Sequence, residues 1–260
     1  MAFMDYDKIV LFGDSITEQS YEQTRGFGFG AALADIYRRK IEVVCRGFSG
    51  YNTAHAMAVI PKIIPPPAPT SKIRLITIFF GANDSTLHDR PQHVPLDQYP
   101  VNLRRIIRHP LIKAHDPKVI LITPSPICEY RTQDGDLARE VVGIQRLAAN
   151  TKKYADAALE VGKALGIPTV NLWEAFIQYA GGWEEGNPIP GSKELPKNEK
   201  LGELLRDGLH FEPKGYQILY DLVLKTIREN IPELDPENLE FVFPRHEEAD
   251  RCNWYSGGEF

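Results

Sequence analysis

The sequence predicts a three-layer α/β fold built on a parallel sheet of five strands. Five short runs are apolar and rich in β-branched residues: 8–13 (KIVLFG), 41–47 (IEVVCRG), 74–81 (RLITIFFG), 118–126 (KVILITPSP) and 169–173 (TVNLW). They are mostly continuous rather than alternating, the mark of strands buried on both faces of a parallel sheet. Stretches with helical spacing separate them, and alternating strands and helices build a parallel sheet. A third observation agrees. The residues suited to chemistry stand directly after these runs, where open α/β sheets gather their sites.

The elements follow in order. The first run stops at Gly13. Residues 28–40 read as a helix ending in Arg38-Arg39-Lys40, cations that suit a helix C-terminus. After the second run, a helix over 52–64 begins behind Asn52-Thr53 and stops at a proline run, 64–69 (IPPPAP). That run reads as a stiff spacer rather than a ligand for a proline-recognition module. Residues 97–109 place Val101, Leu103, Ile106 and Ile107 on one side. Residues 138–165 carry Val141, Val142, Ile144, Leu147, Tyr154, Ala158, Leu159 and Leu165 at helical spacing. A last helix over 213–230 starts with Pro213 near its first position and carries Ile218, Leu219, Leu222, Val223 and Ile227.

With 260 residues, a single domain with a full core is the expectation. That domain runs over 1–230, with a polar excursion at 181–206 and a C-terminal extension over 231–260. The net charge of −5, without any basic block, argues against nucleic-acid binding. The three cysteines, Cys45, Cys128 and Cys252, fit neither a disulfide framework nor metal spacing. They point to a reducing compartment. The start, MAFMDYDK, does not read as a secretory signal, and no run nears the ~18 apolar residues of a membrane span. A cytoplasmic protein without a membrane span is the expectation.

After the first strand comes Gly13-Asp14-Ser15-Ile16-Thr17. After the second comes Arg46-Gly47-Phe48-Ser49-Gly50-Tyr51-Asn52-Thr53, and after the third Gly81-Ala82-Asn83-Asp84. Just before the last helix stands Asp207-Gly208-Leu209-His210. These four blocks, in this order, resemble the SGNH (GDSL-type) hydrolase family. The segments IVLFGDSITEQS, CRGFSGYNT, FFGANDS, ILITPSPICE and DGLHFEPKGY resemble its isoamyl acetate-hydrolysing esterase branch. The resemblance implies a flavodoxin-like α/β/α sandwich that works without metal or organic cofactor.

It also implies roles. Ser15 is the expected nucleophile, activated by His210 as base. Asp207, three residues earlier, is expected to fix the imidazole tautomer and stabilise the imidazolium. The oxyanion is expected to meet the Ser15 amide, the Gly47 amide and the Asn83 side chain. Ser49, Tyr51 and Pro126 are candidate pocket residues. The implied reaction is hydrolysis of small acyl esters, acetates first among them, through an acyl-serine. Deacetylases, lysophospholipases and thioesterases of the family are alternatives, and so is a non-catalytic binding module.

Each residue also has a plainer reading. Ser15 or Thr17 can be a helix cap, with Glu18 completing a capping box. Gly47 can be a turn glycine, Asn83 an Asx turn and His210 a surface histidine. Asp14 reads as a loop holder that hydrogen-bonds nearby amides. The G-x-G-x-G of Gly26, Gly28 and Gly30 does not follow a strand, so it reads as the approach to a closely packed helix, not a dinucleotide loop. Phe27 or Phe29 is a candidate to reach the site. Asp84, His88, Asp89 and His93 match no established metal spacing and read as a loop rimming the site. The excursion 181–206 is long enough to be a lid or disordered, with Trp183 its notable residue. Phe241, Val242, Phe243, Trp254, Tyr255 and Phe260 should dock the extension on the domain or on a partner subunit in a homodimer.

Overall fold

The computed structural model describes residues 5–138, 140 and 143–249. Its strands are β1 (Lys8–Gly13), β2 (Glu42–Gly47), β3 (Ile73–Phe79), β4 (Lys118–Ile122) and β5 (Thr169–Val170). They form one sheet in the order β2-β1-β3-β4-β5, with every pairing parallel. Between them run α1 (Ser15–Glu18), α2 (Phe29–Ile36), α3 (Thr53–Ile63), α4 (Gln98–Ile107), α5 (Pro110–His115), α6 (Glu129–Ala138) and α7 (Ala148–Leu165). After β5 come α8 (Leu172–Tyr179), α9 (Glu199–Leu204), α10 (Pro213–Asn230) and α11 (His246–Ala249).

The inner strand β1 shows how the sequence makes two cores. Side chains alternate across a strand. Ile9 and Leu11 join one cluster with Leu33 of α2, Phe176 of α8 and Val223 of α10. Val10 and Phe12 join another with Ile60 of α3, Leu103 of α4 and Tyr154 of α7. A strand buried on both faces needs no polar alternation, which is why its run is continuous. The result is an α/β fold with helices on both faces of a five-stranded parallel sheet. No helix among the described residues is long and apolar enough to cross a membrane.

Several boundaries differ from the sequence reading. The predicted helix over 138–165 keeps only Ala148–Leu165, as α7; Ala138 is the last residue of α6, and the described residues between the two are not helical. Glu140 at φ 59° and Gly143 at φ 82° adopt left-handed backbone that interrupts a helix. Ile144, read as a core residue, is exposed. Val141 and Val142 lie outside the described residues. The predicted fifth strand keeps only two residues, because Asn171 caps α8 by accepting from the Glu174 amide. Val101 is exposed although Leu103, Ile106 and Ile107 are buried.

The excursion 181–206 is packed rather than loose. Ile189, Leu201, Leu204 and Leu205 are buried in the α10 core. The buried Glu129 carboxylate accepts from the Ala148 amide at 2.8 Å and the Lys193 amide at 3.0 Å. It thus joins the start of α7 to the excursion. Trp183 sits edge-on against Trp173, their ring centres 5.6 Å apart. Beyond α10, the described part of the tail lies against the end of α2. Tyr37 donates to the Leu234 carbonyl at 2.6 Å, and Arg39 lies over the Phe241 ring. Trp254, Tyr255 and Phe260 lie outside the described residues, as does Cys252.

Candidate active site

At the end of β1 the chain turns at once into α1. Asp14 is the N-cap: its Oδ1 accepts from the Ile16 amide at 2.9 Å. Its Oδ2 is buried without a partner among the described residues. Burial pushes this carboxyl from an ordinary 3.8 up to about 7. Ser15 is therefore the first residue of α1, not its cap. Its amide is one of the helix's unpaired N-terminal donors. The Glu18 carboxylate reaches across to the Ser49 amide at 2.7 Å, so no capping box forms at Ser15.

The other half of the site lies just before α10. Gly208, at φ 84°, closes the tight turn from Asp207 to His210. Asp207 Oδ1 accepts from the Leu209 and His210 amides, and Oδ2 lies 2.7 Å from His210 Nδ1. Burial acts to raise the Asp207 carboxyl. The hydrogen bonds and charge of His210 outweigh it and hold the group well below the usual carboxylate range. A carboxylate only accepts, so Nδ1 carries the imidazole proton. Nε2 then turns its lone pair to Ser15 Oγ, 2.8 Å away.

Two further contacts fix this geometry. Tyr216 of α10 donates to the Ile16 carbonyl at 2.7 Å, tying the histidine side to the serine helix. Arg131 of α6 donates to the Gly202 and Leu205 carbonyls, holding the approach to Asp207. Sequence reading found neither, because both tethers span long stretches of chain.

Asn83 follows β3 and is buried. Its Nδ2 donates to the Tyr51 carbonyl at 2.8 Å, and its Oδ1 accepts from Arg146 at 3.1 Å. This is not an Asx turn. The second Nδ2 proton remains for a ligand. Asp84 holds the same loop to α3, accepting from the Thr53 amide and hydroxyl. Burial pushes it up to about 6.

These groups border a cavity of about 370 Å³. Ser15, Asn83, Asp207 and His210 line it, together with Gln19, Ser49, Gly50, Gln92, Thr132, Asp136, Gln145, Arg146 and Leu209. The structure does not bring Gly47 there. A Cβ on Gly47 would stand 2.0 Å from the Glu18 nitrogen, so this glycine faces α1 and allows its close approach. Gly50, at φ 79°, is the glycine of that block that lines the cavity. Of the three pocket candidates, Ser49 lines it. Tyr51 does not, since its carbonyl orients Asn83 and its ring stacks on Phe48. Pro126 does not either, lying buried in the segment behind β4.

Phe27 packs on Tyr220 and Phe29 is buried in the α2 core, so neither reaches the site. Gly30 makes room for the Tyr21 ring in the first turn of α2. The loop after Asn83 does form part of the rim, through Gln92. His93 instead meets the Thr86 carbonyl. A larger groove, about 780 Å³, lies at the other ends of the strands beside Lys118 and Pro168. It holds no serine, histidine or cysteine, so the smaller cavity is the one with the means for chemistry.

A model of the GDSL-like Lipase/Acylhydrolase family matches residues 11–218. A GDSL esterase/lipase of Arabidopsis thaliana is 37% identical over 262 residues, spanning 95% of each chain. The isoamyl acetate-hydrolyzing esterase of Saccharomyces cerevisiae is 33% identical over 246 residues, spanning 92% of this chain and 93% of that one. The lipase/acylhydrolase from Enterococcus faecalis, a crystal structure, superposes with a TM-score of 0.59 at 26% identity. That alignment covers 92% of this chain and 100% of the other. These findings bear out the family read from the four sequence blocks.

Proposed function

We propose that this chain, which belongs to the GDSL-like lipase/acylhydrolase family of carboxylic ester hydrolases, cleaves small acyl esters through an acyl-serine at Ser15. The observation that carries the reading is the unbroken relay from Ser15 Oγ to His210 Nε2, 2.8 Å, and from His210 Nδ1 to Asp207 Oδ2, 2.7 Å. In the first step Ser15 Oγ bonds to the ester carbonyl carbon while its proton passes to His210 Nε2. Asp207 stabilises the imidazolium that forms. The carbonyl oxygen becomes an oxyanion. The Ser15 amide at the start of α1, the Asn83 amide group and the Gly50 amide are its donors in this reading. Gly50 takes the place that the sequence reading gave to Gly47. Collapse expels the alcohol with the proton from His210. Water, deprotonated by the same imidazole, then releases the acid and restores Ser15.

The activity for which the yeast relative is named supports acetate as the acyl group, and a cavity of about 370 Å³ suits a small ester. One observation favours a second reading of the alcohol. Gln19, Ser49, Gln92, Thr132 and Gln145 give the walls polar groups, which suit a hydroxylated alcohol such as an acetylated sugar. Initial rates on p-nitrophenyl esters from acetate to octanoate test the acyl side, with Ser15→Ala as control. Turnover is expected to fall with chain length and to vanish in the folded variant. Equal turnover in both proteins would remove the Ser15 mechanism. Comparing isoamyl acetate with an acetylated xyloside then decides the alcohol class.

A further inference from the structure

Arg146 is a buried arginine with no part in the relay. It stands just before α7, far in sequence from every block of the site, and 9% of it is exposed. Its Nε donates to the Ala82 carbonyl at 3.3 Å. One Nη donates to Asn83 Oδ1 at 3.1 Å and reaches Gln92 Oε1 at 3.5 Å. Gln92 in turn donates from Nε2 to the Gly50 carbonyl at 2.9 Å. The Gln92 carbonyl accepts from Asn52 Nδ2 at 2.9 Å. One guanidinium thus connects the loop after β3 to the loop after β2.

We infer that Arg146 is a positioning residue for the oxyanion site, acting through the Asn83 amide and, by way of Gln92, the Gly50 peptide. This rests on the proposal above that Asn83 and Gly50 bind the oxyanion. The oxygen and nitrogen ends of an asparagine amide are nearly the same size and can exchange places. If Oδ1 faced the cavity, it would repel an oxyanion. A donor that cannot deprotonate and that holds Oδ1 excludes that orientation. The Tyr51 carbonyl, an acceptor, holds the nitrogen end. The positive charge behind Oδ1 also polarises the amide, making its remaining N–H a stronger donor. Charge-assisted bonds of this kind are the stronger class of hydrogen bond.

A double-mutant cycle tests the coupling. Asn83→Ala is expected to lower kcat by roughly 10²–10³, the usual loss for one oxyanion donor. Arg146→Ala is expected to lower kcat by at least about tenfold, with KM changed by less than about threefold, the pattern of an interaction made in the transition state. In the Asn83→Ala background, the same arginine change should cost clearly less than in wild type, since only the route through Gln92 to Gly50 remains. Arg146→Lys, which keeps charge but not the fork, should fall between wild type and Arg146→Ala. It also serves in the cycle if the alanine variant does not fold. Thermal unfolding confirms that each variant compared is native. Full activity in Asn83→Ala would overturn the oxyanion assignment and this inference with it. A large Asn83→Ala loss to which the arginine loss adds in full would overturn only the positioning role. A folded Arg146 variant with wild-type kcat would do the same.

Discussion

Asp14 gives the sharpest test of the electrostatics beneath the serine. Its carboxyl is 1% exposed, its Oδ2 lacks a partner among the described residues, and the buried Asp84 adds like charge. The folded protein therefore favours the neutral acid. Moving the carboxyl from its ordinary 3.8 up to about 7 has a direct consequence for folding. The favourable contribution of the neutral acid is fully present below the unfolded value, near pH 4. It is lost as pH rises through the folded value, near pH 7, because the unfolded chain releases the proton first. At 1.36 kcal/mol per pH unit, the loss amounts to about 4 kcal/mol. Asp14→Asn removes the titration, and asparagine is an equally good N-cap. Urea unfolding of both proteins at pH 4.5, 6 and 8 measures the difference. About 1 kcal/mol of this is already lost at pH 4.5, so between pH 4.5 and pH 8 the variant should gain on wild type by about 3 kcal/mol. A constant difference across that range would refute a buried, proton-holding carboxyl at Asp14.

The two glycines of the second block should fail differently. Gly47→Ala drives a Cβ into the α1 backbone and should lower stability severely, read by thermal unfolding. Gly50→Ala meets Gln92 Nε2 at 3.1 Å and a strained φ. It should keep the fold at a loss of about 1–2 kcal/mol while kcat falls. Tyr216→Phe removes the buried hydrogen bond to the Ile16 carbonyl and should lower stability by about 1 kcal/mol, read by urea unfolding. Glu129→Gln turns an amide nitrogen toward one of two backbone donors. It should lower stability by about 1–3 kcal/mol, with faster proteolysis in 181–198. Cleaving the chain after Asn230 removes the buried Ile231 and Leu234 and should lower the Tm.

The strands were legible because burial on both faces leaves an unbroken apolar run, as in Ile9 to Phe12. The late start of α7, at Ala148 rather than 138, was not. It depends on left-handed backbone at Glu140 and Gly143, while the apolar spacing continues across them. The serine, histidine and aspartate were legible as residue types in their blocks, each beside a strand end or a helix start. That Gly50 rather than Gly47 lines the cavity was beyond the sequence, since both stand in one short glycine-bearing stretch. What separates them is the approach of α1, a tertiary fact. Arg146 was hidden for a related reason. It stood inside a segment that read as continuous helix, and its partners lie more than fifty residues away. The excursion 181–206 looked loose from its polar composition. Its few apolar residues, Ile189, Leu201 and Leu204, are enough to anchor it.

Covalent labelling tests the central claim most directly. The folded protein is treated with an alkyl phosphonate ester that captures activated serines, and the adduct is mapped by peptide mass spectrometry. The account predicts one adduct, on Ser15, with loss of esterase activity in step with labelling. His210→Ala should label far more slowly, since its serine has no base. Inactivation with the adduct on another residue, or full labelling of Ser15 without loss of activity, would contradict it.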